Sequence, residues 1–358
     1  MNTIKIGKRR IGHGFPTYVV AELSANHGQD FEKAVEIIRI AKKVGADAVK
    51  IQTYTPDTLT INCDNKYFKI KGTIWKNKNL YELYREAYTP WEWQPKLKKI
   101  ADKLKIDFFS TAFDPTSVDF LEKLNVPAYK ISSFELVDLP LIKLVAQTGK
   151  PMIISTGMAT EAEISSAVKA AITGGCREIA LLKCVSAYPA DPTGMNLNTI
   201  PDMERRFGVV SGVSDHSLGS AVAIAAVALG ACIVEKHITL SRADGGPDSA
   251  FSMEPDEFAD MVKNLRMAEA ALGLPRYGCT PQERASKIFR RSLFAVKDIR
   301  CGELFTKENV RSIRPAYGLS PALYDQVLGS RAACFIPRGT PLKRVMIRKR
   351  CRGLADEN

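Results

Sequence analysis

A chain of 358 residues with 45% hydrophobic side chains can bury a substantial core, which excludes disorder as its main state. Charged residues make up 25%, and no apolar run approaches the ~20 residues that a membrane-spanning helix needs. The 51 basic and 39 acidic residues leave a net charge of +12, which favours anionic partners, but no basic and aromatic nucleic-acid motif accompanies it. The opening MNTIKIGKRRIGHG holds no apolar signal region and predicts a cytoplasmic protein. Eight cysteines without a Cys-x-x-Cys pair predict reduced thiols, and Cys184 and Cys232, inside apolar runs, read as small core residues.

Short β-rich runs recur along the chain: YVVAELS from Tyr18, DAVKIQTYT from Asp47, DFFSTAFD from Asp107, AYKISSFE from Ala128, PMIISTG from Pro151, IALLKCVS from Ile179, VVSGVSDH from Val209 and CIVEKHIT from Cys232. Helical periodicity fills most of the gaps. Phe31, Ala34, Val35, Ile38 and Ala41 share one face, as do Leu97, Ile100, Ala101 and Leu104, and a last helix is predicted over residues 255–272. Eight alternating units over about 250 residues predict a closed (β/α)₈ barrel rather than an open doubly wound sheet. No Gly-x-Gly-x-x-Gly follows the first run, so a dinucleotide site has no support. The long interruption over residues 56–90 carries Tyr67, Phe68, Trp75, Tyr81, Tyr84 and Tyr88, a pattern that reads either as a lid or as a packed loop.

Beyond Gly273 the alternation stops. The pattern predicts a barrel domain over residues 1–273, a linker over 274–288, a small strand-rich domain over 289–350 and a tail over 351–358. The parallel phrases VKDIRCGELFT and CFIPRGTPLK mark a short internal pseudo-repeat, and Lys343 to Arg352 form a dense basic cluster.

Side chains at the carboxyl ends of parallel barrel strands converge on one mouth. Two of the four histidines, His216 and His237, fall there on adjacent strands. They read as ligands for Mn²⁺, Zn²⁺ or a similar ion, or as a hydrogen-bonded pair without metal. Glu22 ends the first strand, beside the eighth on closure, and is a candidate base or water-orienting group; Glu135 is a second candidate acid or base. Glu235 shares the strand parity of His237. Lys50, Lys130 and Lys183 lie inside apolar strands, where a cation is costly unless it meets an anion. With Thr111, Ser132, Ser133, Ser155 and Thr156 they form a candidate phosphate and carboxylate cage, or Lys130 serves as a Schiff-base nucleophile. GGPDSAFS, with Asp248, reads as an active-site loop or an ordinary turn.

Together AELSANHGQD, KIQTYTPDT, FFSTAFD, PAYKISS, IISTGMA, SAYP, SDHSLG, EKHIT and GGPDSAFS resemble the sialic acid synthase family, and the stretch containing SIRPAYG resembles its antifreeze-like SAF domain. The resemblance implies condensation of phosphoenolpyruvate with an amino sugar aldehyde, a divalent metal (Mn²⁺ or Mg²⁺) on His216 and His237, and no nucleic-acid or membrane partner. It implies that Lys50, Thr111, Lys130, Ser133, Ser155 and Ser214 hold phosphoenolpyruvate, with Ser186 and Tyr188 nearby. Glu22, Glu135 and Asp248 would face sugar or reacting groups. Arg314 would reach the sugar's acyl group from the small domain of a partner in a domain-swapped homodimer. AELSANH, QTYTPDT and GGPDSAFS are closer to the pseudaminic acid branch than to the N-acetylneuraminate branch, implying 2,4-diacetamido-2,4,6-trideoxy-L-altrose as the sugar. Val185 departs from the family pattern, in which Thr or Ser is common.

Overall fold

The computed structural model describes residues 3–72, 74–76 and 78–348. The basic cluster is therefore seen only as far as Arg348; its remainder and the tail over 351–358 lie outside the described residues. The chain divides into two compact units, one ending at Gly273 and the other beginning at Leu274.

A short antiparallel hairpin opens the first unit, β1 (Thr3–Ile6) with β2 (Arg9–Gly12), and buries Ile4, Ile6 and Ile11. It is tied to the amino ends of the barrel strands, where the Lys5 backbone N–H donates to Glu178 at 2.7 Å and His13 meets Glu204 at 2.6 Å. Eight parallel strands follow: β3 (Tyr18–Glu22), β4 (Ala48–Thr53), β5 (Asp107–Ala112), β6 (Tyr129–Ile131), β7 (Met152–Ser155), β8 (Ile179–Cys184), β9 (Val210–Asp215) and β10 (Ile233–His237). They close into a barrel as β10 pairs with β3. Helices cover the outer face and side chains fill the inside, so both faces are buried and the strands read as nearly continuous apolar runs.

Local signals set the helix boundaries. Asp30 accepts from the backbone N–H groups of Glu32 and Lys33 to start the helix Phe31–Lys43, whose Ala34, Val35, Ile38 and Ala41 are buried. Phe31 packs at the rim instead, edge-on to Trp93. The helix Pro255–Leu272 follows the last strand. Within the 56–90 interruption the described residues include a one-turn helix (Pro56–Leu59), an antiparallel bridge between Lys69 and Asn79, and a helix (Leu80–Ala87) started by an Asn79–Glu82 capping box.

The second unit has its own core of Leu293, Ile299, Phe305, Val310, Val327, Ile336 and Leu342, around the pair β11 (Ser292–Ala295) and β12 (Val310–Ile313). The pseudo-repeat is real in three dimensions: Ile299 and Ile336 bridge antiparallel, and Gly302 and Gly339 both turn at φ +84°. An L side chain is strained at that angle. Among the described residues, no helix is long and apolar enough to cross a membrane.

His27 locks the loop after β3 to the end of the insertion. Gln29 donates its backbone N–H to His27 Nδ1 at 3.0 Å, which makes Nε2 the proton-bearing nitrogen, donating to Thr89 at 3.2 Å. Burial, assisted by the Lys33 charge, lowers its pKa to about 4. The unfolded chain takes up this proton near pH 6.5 and the native chain only near 4, so the contribution is complete above pH 6.5, shrinks as pH falls and is lost by about 4. It amounts to about 3 kcal/mol. Urea unfolding at pH 7.5 and 4.5 should show a weaker pH dependence in His27→Gln than in the parent by roughly that amount; equal dependences would exclude the assignment.

Candidate active site

Because all eight strands run the same way, their carboxyl ends surround one cavity of about 450 Å³. Its floor is a cluster of buried charges. Lys50 Nζ lies 2.6 Å from Glu22 and 3.6 Å from Glu235, and Lys130 Nζ lies 3.0 Å from Glu235. Strand register brings them together, since Glu22 is paired with Lys50 on one side and His237 on the other, and Glu235 with Ser214. Hydroxyls complete the floor: Lys50 donates to Thr111 at 3.0 Å, Ser214 donates to Glu235 at 3.1 Å, and Gln52 donates to Glu22 at 3.1 Å.

Four ions taken out of water depend on one another. Burial raises the pKa of Glu22, with Glu235 adding to the shift and Lys50 opposing it. For Glu235 burial also favours the neutral acid, but Lys130 and Lys50 overcome it and hold the group at about 2. Burial pulls Lys130 below its ordinary value, whereas the two carboxylates keep Lys50 above its own. Ser155 Oγ is buried at the cavity lining without a hydrogen-bond partner. An entering anion can thus take over the two ammonium groups and an idle hydroxyl.

Beside the floor stand the histidines, with ring centroids 5.3 Å apart. His216 Nδ1 lies 3.1 Å from the Val185 carbonyl, a contact that makes Nδ1 the donor and leaves Nε2 with the lone pair. The Val185 contribution is thus a main-chain one that needs no hydroxyl. His237 is held neutral, first by burial and then by His216 and the lysines, and its Nδ1 is buried without a partner. Burial disfavours the His216 cation, but Cys184, the Val185 carbonyl and Glu235 outweigh it and raise its pKa, so a divalent ion would have to displace a proton there, whereas His237 offers a neutral ring. Among the described residues no group of three His, Cys, Asp or Glu side chains converges to hold a metal, so the candidate donor set is this pair.

Glu22, Lys50, Thr111, Lys130, Ser133, Glu135, Ser155, Tyr188, Ser214, His216, His237 and Asp248 all line the cavity. Asp248 accepts from Ser24 at 2.6 Å, and Glu135 accepts from Ser132; burial raises the pKa of both carboxyls. Ser186 is not a lining residue; its hydroxyl lies 3.9 Å from Cys184 Sγ. Arg314 is exposed and immediately follows β12 in the second unit.

Two expectations fail on strand parity and packing. Lys183 points to the outer face, near Asn196, Asp202 and Arg206, because it alternates with the inward Cys184. Cys184 is no inert core residue: it lines the cavity, 3.8 Å from His216 Nδ1, and although burial raises its pKa, His216 and hydrogen bonds lower it to about 7. Gln52 and Ser24 went unnoticed, although Gln52 has the parity of Lys50. The outward pair Lys236 and Asp215 was also missed. Lys236 donates to Asp215 at 2.7 Å and to the Ser217 carbonyl at 2.6 Å, fully buried, one residue from each histidine.

Residues 37–277 match the model of the NeuB family, and residues 290–348 that of the SAF domain. The chain belongs to the NeuB family. This NeuB-family chain is 44% identical to the pseudaminic acid synthase of Helicobacter pylori over 91% of its length and 96% of the relative's. It is 34% identical to the N,N'-diacetyllegionaminic acid synthase of Legionella pneumophila, covering 92% of this chain and 94% of that one. Among solved structures, the N-acetylneuraminic acid synthetase of Leptospira borgpetersenii in complex with citrate superposes with a TM-score of 0.71 at 30% identity, over 80% of this chain and 95% of that one.

Removing one partner of a buried pair strands the other charge. Lys236→Met should therefore cost about 3–5 kcal/mol in urea unfolding, and adding Asp215→Leu should restore much of the loss. A single variant as stable as the parent would show that the pair does not hold the two histidine-bearing strands in place.

Proposed function

We propose that this chain condenses phosphoenolpyruvate with 2,4-diacetamido-2,4,6-trideoxy-L-altrose and water to give pseudaminic acid and phosphate. One observation carries the reaction class: a buried lysine and hydroxyl floor lies in the same cavity as two neutral-capable imidazoles. The sugar rests on the 44% identity to a pseudaminic acid synthase.

Lys50 and Lys130 exchange carboxylate partners for the phosphate and carboxylate of the enol ester, and Thr111, Ser133, Ser155 and Ser214 donate to its oxygens. C3 of the enol ester bonds to C1 of the sugar aldehyde, water adds at C2, and the C2–O bond breaks to release phosphate. The two water protons end on the new hydroxyl and on phosphate. A divalent ion, Mn²⁺ or Mg²⁺, on His216 and His237 would supply charge stabilisation at the aldehyde oxygen. Glu22 orients water or sugar hydroxyls. Glu135, its pKa raised by burial, and Asp248 face the sugar and can carry protons. Ser186 and Tyr188 support the imidazole side, where the Tyr188 ring lies 4.5 Å from that of His216. A cytoplasmic homodimer in which Arg314 serves the partner's mouth belongs to this reading.

Phosphate release from phosphoenolpyruvate and the diacetamido sugar, with Mn²⁺ present, tests it. Lys130→Met and His216→Ala should each lower kcat/KM by about 10²–10³-fold. Faster turnover of N-acetylmannosamine would displace the sugar assignment. Chelator-insensitive activity with borohydride trapping at Lys130 would replace the scheme by an imine mechanism.

A further inference from the structure

The cavity has two chemically different halves. Opposite the charged floor, the 56–90 insertion contributes Leu59, Ile70, Trp75, Leu80, Leu83 and Tyr84, none of them charged. Leu59, Ile70 and Leu80 are only half-buried and face the cavity. The wall is built rather than draped: Trp75 donates its indole N–H to the Pro247 carbonyl at 2.9 Å and packs 5.3 Å from the Tyr188 ring. Tyr84 meets Tyr54 edge-on at 5.7 Å, and Tyr54 meets Phe113 in the same way at 5.1 Å. Through Tyr188, Trp75 is linked to His216.

The reacting carbon of an acceptor must lie at the floor, beside the lysines and imidazoles, and the rest of the molecule then extends toward the wall. A hydroxyl pressed against Leu59, Ile70 or Leu80 would give up water without gaining a protein partner, whereas a methyl group would gain contact. We propose that the insertion is the specificity element of the site, an apolar wall that receives the deoxygenated terminus of the acceptor sugar and disfavours a hydroxyl at that carbon. The inference rests on the reaction proposed above and adds which residues read the acceptor, and by what chemistry. An aliphatic surface discriminates against an added hydroxyl by no more than about 100-fold, so the wall reads deoxygenation with modest stringency.

The test compares kcat/KM for the 6-deoxy sugar and for its analogue hydroxylated at C6, in the parent chain and in the polar variants Ile70→Thr and Leu80→Asn. Thermal melting reports folding, and the KM for phosphoenolpyruvate reports the floor. The parent should prefer the deoxy sugar by about 10–100-fold. At least one folded variant should narrow that ratio several-fold, by losing on the deoxy sugar and gaining on the hydroxylated one, with the phosphoenolpyruvate KM unchanged. A parent without the preference, or two folded, active variants with the parent's ratio, would overturn the assignment. Should the parent release phosphate from neither sugar, the reaction class falls first and takes the wall's role with it.

Discussion

Everything at the mouth of this barrel depends on the mutual neutralisation of Glu22, Lys50, Glu235 and Lys130. Each is buried, and each would carry a penalty of several kcal/mol if it stood alone in that environment. They come from β3, β4, β6 and β10, so the cluster exists only when the ring of strands has closed. A substrate carrying a phosphate and a carboxylate offers the lysines what the two glutamates offer in its absence. The arrangement thus fixes both cationic side chains at the positions that the reaction proposed above requires.

The site joins two kinds of order. Strand register places the charges and the histidines, a matter of backbone hydrogen bonds and period-two geometry. Long-range side-chain contacts place the rest: the indole of Trp75 on Pro247, Ser24 on Asp248, and the aromatic chain through Tyr188. The outward Lys236–Asp215 pair ties the two histidine-bearing strands together from behind.

This division explains what was legible in the amino-acid sequence. The eight strands were readable because a parallel barrel needs apolar residues on both faces, and Lys50 and Lys130 were readable because a cation interrupts such a run. The same signal misled at Lys183, for an interrupted run says that a charge is present but not which face it takes; Cys184, its neighbour, took the inward place. The role of Cys184 was hidden because its character comes from the His216 ring, 32 positions along the chain. Trp75 could be noticed only as one aromatic among several, since Pro247 and Tyr188 lie in distant segments. Arg314 and the second unit obey local strand and turn signals, which say nothing of what the arginine meets.

The hairpin of β1 and β2 sits at the amino ends of the barrel strands, pinned there through Lys5 and His13. Thr3 consequently leaves the fold on the side facing away from the cavity. An affinity handle or a tether to a solid support joined ahead of that residue would orient every immobilised molecule with its opening toward the solution.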